Sequence, residues 1–371
     1  IDSVIKKDSF KSSLKKTNLI IDQIKKSKDP LLTSFLNQFH YSQKKKLNNL
    51  ALYHRKNFKD VIVLGTGGSS KAGRTFVQIA YRTFGRNPKY PKITFLENID
   101  FQDFNDLFKK INLKKTGVIV ISKSGETNET LVQFLIFLSK YKTSFQKKRI
   151  RKHFTVIAKK DSSTLRNLAN DFSIDIIDLD SNLSGRFSAF SPVGLLPAAI
   201  SGLNIKKITE GALFLLKKTL KKEQKIPSEG AALHYSAQNS KINITVLLTY
   251  TERLRNFGFW HEQLIAESLG KKNTGFTPLH SMGATDQHSL LQLFLEGPKD
   301  KLITFITLKK QKDQIKINNN LIAKVKKLSF LKKKSLNKLL DFEMEKVCRL
   351  LKEYKRPYRI ITLNKCTEYE I

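Results

Sequence analysis

Apolar positions along the chain follow two rhythms. Continuous apolar or β-branched runs occur at 61–65 (VIVLG), 92–96 (KITFL), 117–122 (GVIVIS), 153–158 (HFTVIA) and 174–179 (IDIIDL). Each is short enough to be a buried strand. Between them, segments such as KAGRTFVQIAYRTF, FNDLFKKI and SSTLRNLAND carry apolar residues at helical spacing. Strands without polar alternation are covered on both faces, so the pattern predicts a parallel sheet flanked by helices. The theme repeats downstream, with strands at 242–250, 302–308 and 358–364 and a long helix over about 335–355. The predicted class is α/β, with two doubly wound domains. The expected division is an N-terminal helical segment (1–45), a first domain (46–194), a helical connection (195–228) and a second domain (229–371). No short fixed period runs through the chain, so it is not a solenoid.

Composition narrows the class. The 371 residues are 40% hydrophobic and 10% aromatic, which suits globular domains with substantial cores. The two cysteines, Cys348 and Cys366, make no disulfide framework and no CxxC metal site. A cytosolic location is expected. The opening stretch lacks the apolar core of a signal peptide, and LVQFLIFLSKY is too short to span a bilayer. The first residue is Ile1, and the expectation is that the start is missing. The net charge of +36 raises a nucleic-acid partner. The lysines, however, are spread over the whole length without interleaved stacking aromatics. That pattern reads as a solvated surface whose field draws in an anionic substrate. Neither nucleic acid nor a membrane is expected as a partner.

The chemistry concentrates at strand ends. In VIVISKSGETNETL (118–131) a buried strand runs into Ser122, Lys123, Ser124, Gly125 and Thr127. Turn and capping preferences account for one or two of these hydroxyls, with Thr127 as the capping candidate. Three hydroxyls and an ammonium before a helix are better explained as a phosphate cradle, because helix N-termini already attract anions. A second turn, VIVLGTGGSSKAG, places Gly65, Gly67, Gly68, Ser69 and Ser70 after the first strand. It resembles a dinucleotide fingerprint, but Glu97 lies too far downstream for the usual ribose contact. Two serine-rich turns at neighbouring strand ends favour a monophosphate, at the edge where open α/β sheets bind ligands.

Three further residues are candidates for catalysis. Arg186 follows Gly185 at the rim of the uncharged stretch FSAFSPVGLLPAAISG, where an arginine is either paired or faces a cleft. Glu267 lies near the end of a helix that stops at Gly270, where a carboxylate opposes the helix dipole. It is either an exposed glutamate or a base presented to a pocket. His288 sits in the first turn of an amphipathic helix, after Thr285 or Asp286 as cap, and His261 and His280 compete with it. No metal-ligand spacing occurs, and no cofactor is called for.

The segments GTGGSSKAG, ISKSGETNET, SGRFSAFSPVG, AESLGK and GATDQHSLLQLFLEGP, in this order, give the chain a family likeness. It resembles the glucose-6-phosphate isomerases of bacterial type, built from two sugar-isomerase domains, over roughly residues 45–371. The resemblance implies that Ser69, Ser122, Lys123, Ser124 and Thr127 hold the sugar phosphate. It makes Glu129 a positioning carboxylate and Gly185–Arg186 the loop that stabilises the enediol. It makes Glu267 the base between C2 and C1, and His288 the ring-opening residue, supplied across a homodimer interface. Two departures stand out. Ser184 replaces the first glycine of a Gly-Gly-Arg loop, and the C-terminal Gln-x-x-Val-Glu segment with its catalytic lysine does not follow NKCTEYEI. The expectation is a fragment truncated at both ends. The alternatives are a non-catalytic sugar-phosphate sensor, which would not need Glu267, Arg186 and His288, or an isomerase of another hexose phosphate.

Overall fold

The computed structural model describes residues 4–40, 44–81, 87–309, 315–332 and 334–370. The expected helical stretches over 41–43 and 82–84 therefore lie outside the described residues. The chain divides into two compact units: Ile24–Leu215, and Ile1–Gln23 together with Leu216–Glu370. Most of the N-terminal helix Lys7–Lys26 thus belongs with the C-terminal half, where Ser236 Oγ donates to Ser13 Oγ at 2.8 Å.

The 24–215 unit holds five strands, β1 (Asp60–Leu64), β2 (Lys92–Leu96), β3 (Thr116–Ile121), β4 (Phe154–Lys159) and β5 (Asp175–Leu179). All pair in parallel, in the order β2-β1-β3-β4-β5. The runs that lack alternation are covered on both sides, as their composition requires. Ile62, Leu64, Val118, Val120 and Val156 face Phe134, Phe137 and Tyr141 of the helix Asn128–Ser144. On the other face the helices Lys44–Asn57, Lys71–Tyr81 and Pro192–Ile200 pack on one another. All nine residues of Pro192–Ile200 are buried.

The other unit holds β6 (Ile244–Thr249), β7 (Thr277–Met282), β8 (Lys301–Leu308) and β9 (Tyr358–Leu363), all parallel, in the order β7-β6-β8-β9. One face is apolar: Val246, Leu248, Ile303 and Phe305 meet Val347 and Leu351 of the helix Leu336–Glu353. The opposite face carries buried polar groups, each with a partner. Thr245 meets His234 Nε2 at 3.1 Å, Thr249 meets His280 Nε2 at 3.1 Å, and Thr304 accepts from Arg359 Nε at 2.9 Å. β7 is an addition to the expected strands. Its Pro278, His280 and Ser281 give it no apolar run, and it forms one edge of the sheet, the place where a proline is tolerated.

Each unit holds a histidine in the neutral state, one fully buried and one half-buried. His54 is fully buried, its Nε2 meets Thr155 Oγ1 at 3.4 Å, and burial pulls its pKa to about 3. His261 is pulled to about 4, first by burial and then by His234, Arg359 and His280. An unfolded chain protonates both near 6.5. These groups therefore leave stability intact above that pH and withdraw it as pH falls towards 3–4. The slope is about 1.4 kcal/mol per unit for each group. Urea midpoints are expected to fall steeply between pH 6.5 and 4.5, and the dependence should flatten in His54→Leu. An unchanged midpoint over that range would contradict the assignment.

Candidate active site

β1 and β3 end side by side, and their loops build the site. Gly65 lets the first loop close on the second, since a Cβ there would fall 2.8 Å from the Ile121 carbonyl oxygen. Residues Gly67–Ser69 then form one short helical turn, with Ser69 half-buried. The buried Ser70 hydroxyl donates to the Gly67 carbonyl and to Glu97, which also pairs with Arg74. Glu97 follows β2 directly and braces the turn.

Past β3 the three hydroxyls converge. Ser122 Oγ lies 3.1 Å from Thr127 Oγ1 and 3.5 Å from Ser124 Oγ, and Ser124 Oγ lies 3.4 Å from Thr127 Oγ1. The Ser122 and Ser124 hydroxyls accept from the Gly125 and Glu126 amides. Thr127 occupies the N-cap position of Asn128–Ser144 but makes no side-chain cap hydrogen bond. Capping therefore does not explain its hydroxyl. Lys123 is half-buried, and its pKa is pulled down by burial, against an opposing pull from Asp180. Glu126 ties this loop to the helix Thr164–Asp171, which follows β4, accepting from the Thr164 amide at 2.6 Å and its hydroxyl at 2.7 Å. Glu129, in the first turn of Asn128–Ser144, is exposed.

The arginine loop lies against the first turn. A Cβ on Gly68 would fall 2.5 Å from the Gly185 carbonyl carbon and 2.8 Å from the Arg186 nitrogen, so the two backbones touch. Ser188 Oγ bridges them, donating to the Gly185 carbonyl at 2.6 Å and to the Gly68 carbonyl at 3.4 Å. Ser184 adopts extended backbone angles (φ −67°, ψ 144°) that any residue tolerates. Its hydroxyl accepts from Arg186 Nη1 at 2.8 Å, and the guanidinium lies 4.5 Å from the Phe187 ring. Ser184 thus holds the Arg186 side chain two positions on.

Glu267 and His288 belong to the other unit. Glu267 is exposed near the end of the helix Arg255–Leu269, and its Oε1 accepts from Gln263 Nε2 at 2.7 Å. His288, in the first turn of Gln287–Glu296, is exposed and lines a cavity of about 520 Å³ with Leu336, Leu340 and Glu343. Asp286 precedes that helix without capping it, and its carboxylate accepts instead from the Met282 amide at 2.7 Å. Gln287 donates to the Tyr250 hydroxyl, which fixes the start of the helix. The competing histidines face inward. His280 is wedged against Gly258 and bonded to Thr249, and His261 packs on Phe257. Among the described residues, no cluster of three or more His, Cys, Asp or Glu is placed to hold a metal ion, and no helix is long and apolar enough to cross a membrane.

The sequence model of one family, phosphoglucose isomerase, matches residues 30–355. The chain belongs to the phosphoglucose isomerase family. A probable glucose-6-phosphate isomerase of Methanococcus maripaludis is 36% identical over 267 residues, covering 71% of this chain and 60% of that protein. A glucose-6-phosphate isomerase of Carboxydothermus hydrogenoformans is 31% identical over 337 residues, covering 85% of this chain and 71% of its own length. A solved hypothetical protein from Thermus thermophilus superposes with a TM-score of 0.85 at 25% identity, covering 98% of this chain and 88% of that one. The chain spans about three fifths of the length of the Methanococcus relative.

Proposed function

We propose that this chain interconverts glucose 6-phosphate and fructose 6-phosphate by ring opening and enediol proton transfer. The observation that carries the reading is the convergence of the Ser122, Ser124 and Thr127 hydroxyls at a helix start without a side-chain cap, in a chain of this family. A phosphate dianion would accept from the hydroxyls and the helix amides and would favour the charged form of Lys123. Ser69, on the adjoining turn, would add a further donor. The phosphate then supplies remote binding energy that fixes the reacting carbons.

In this reading Glu267 removes the proton from C2 and returns it at C1. The proton α to a carbonyl is weakly acidic, so the base works only if the developing oxyanion is stabilised. Arg186 supplies a permanent positive charge for that, on a loop whose backbone packs against Gly68 of the first turn. His288 shuttles the proton for ring opening near neutral pH, and Glu129 positions groups near the sugar. His288 acts on the site of a second copy, which makes the working unit a homodimer in the cytosol. Its exposure on a cavity wall supports that role.

The test is conversion of fructose 6-phosphate together with exchange of the C2 proton into solvent. Tight binding of hexose 6-phosphate without exchange would point instead to a sensor. The cradle is tested separately by Ser124→Ala with Thr127→Ala. Each lost charge-assisted bond is worth about 1.5–3 kcal/mol, so affinity for the phosphorylated sugar should fall at least tenfold. Glucose itself should bind both forms equally poorly. Unchanged calorimetric affinity would mean that the phosphate binds elsewhere.

A further inference from the structure

The sheet of the 24–215 unit has a second lined groove, at the edge opposite the cradle. It lies where β1, β2 and β3 begin, and its volume is about 430 Å³. Ten residues line it, and five are cationic: Arg55, Lys56, Lys59, Lys89 and Lys115. Lysine and arginine make up 68 of 371 residues, so about two would be expected by composition. No carboxylate lines the groove, and among the described residues none of the four lysines is in an ion pair.

The wall is built rather than incidental. Arg55 donates to the backbone carbonyls of Ala199 and Ile200, and its guanidinium lies 4.6 Å from the centre of the Tyr90 ring. The backbone of Gly202 packs against the same ring. Arg55 therefore contributes a fixed positive field, while the four exposed lysines supply mobile ammonium groups. Lysine binds phosphate as a point charge and does not demand planar, bidentate geometry. Tyr90 is already engaged by Arg55, which leaves phosphate rather than a base as the group the groove recognises. Four ammonium groups around a cavity of this size suit several linked phosphates better than one.

We propose that this groove is a second anion site, which binds a small polyphosphate at the amino ends of β1–β3. It lies a strand length, about 17–20 Å, from the cradle. The proposal does not depend on the isomerase reading.

The experiment is calorimetric titration with tripolyphosphate at fixed ionic strength. It uses the Ser124→Ala/Thr127→Ala protein, in which the cradle is disabled. One site is expected, with orthophosphate bound at least tenfold more weakly and fructose 6-phosphate unable to displace the ligand. Adding Lys59→Glu and Lys115→Glu should weaken binding at least tenfold. Adding Lys11→Glu and Lys15→Glu, two exposed lysines of the other unit, changes net charge equally and should alter it less than twofold. Equal losses in the two pairs, or no measurable binding before either is introduced, would overturn the proposal. If the first pair melts early, Lys56→Gln with Lys89→Gln decides, with a loss expected at an unchanged melting temperature.

Discussion

Glu267→Gln is expected to lower turnover of fructose 6-phosphate by about 10²–10⁴-fold while sugar-phosphate binding is retained. The substitution keeps the shape of the side chain. Gln263 Nε2, which donates to Oε1 at 2.7 Å, can still donate to an amide oxygen, so that hydrogen bond is kept. What is lost is the capacity to accept a proton. Exchange of the C2 proton with solvent should vanish in step with turnover, because both need the same abstraction. Exchange that persists at the original rate would show that another group is the base. A loss of binding together with turnover would mean that Glu267 holds the sugar rather than reacting with it.

Gly68→Ala is expected to cost about 1–3 kcal/mol of stability, the usual range for overpacking. It should lower turnover about 100-fold, the scale of a 1 Å misplacement of catalytic groups. The added Cβ would meet backbone atoms of Gly185 and Arg186 at 2.5–2.9 Å, and backbone cannot rotate aside as a side chain can. Something must shift, and the arginine loop is what lies there. Gly185→Ala is the control. Its Cβ would meet Gly68 at 3.6–3.8 Å, an ordinary contact, so its melting temperature should stay close to the parent's. If both variants melt alike, the close approach of the two loops is not what limits the site.

The fold was legible where burial leaves a continuous trace. Strands such as 61–65 and 117–122 lie within one residue of β1 and β3, because nothing polar interrupts them. β7 was hidden for the converse reason. An edge strand with one polar face carries Pro278 and His280 at no great cost, so its composition resembles a loop. The 3₁₀ turn Gly185–Phe190 is too short to show a period.

The candidate site divides in the same way. Ser122, Lys123, Ser124 and Thr127 lie within six positions of one another, so the chain displays their clustering directly. The direction of the Thr127 hydroxyl could not be read, because a capping threonine and one turned towards two serines have the same sequence. Arg186, Glu267 and His288 lie on three elements far apart in the chain. No local spacing ties them together: residue patterns raised each one singly, with His261 and His280 as competitors, and only the family resemblance joined them into one set of roles. Gln263 and Glu267 are four apart on one helix, a spacing that places them side by side, whereas the hydrogen bond of Gln287 to Tyr250 had no sequence signal, since it needs the fold to aim two distant side chains at each other.

The turning away of the Thr127 hydroxyl has a thermodynamic consequence. A helix start without a side-chain cap leaves amide protons for water to satisfy, and the first turn of Asn128–Ser144 should fray on its own. A phosphate in the cradle would act as the missing cap, so occupancy and order in that turn rise together. Ligand that binds only the folded form adds about 2.7 kcal/mol at one hundred times its dissociation constant. The first amides of this helix should then gain more hydrogen-exchange protection than those of Thr164–Asp171, whose start Ser163 already caps. In that sense a phosphate bound there would complete a secondary structure that the chain leaves unfinished.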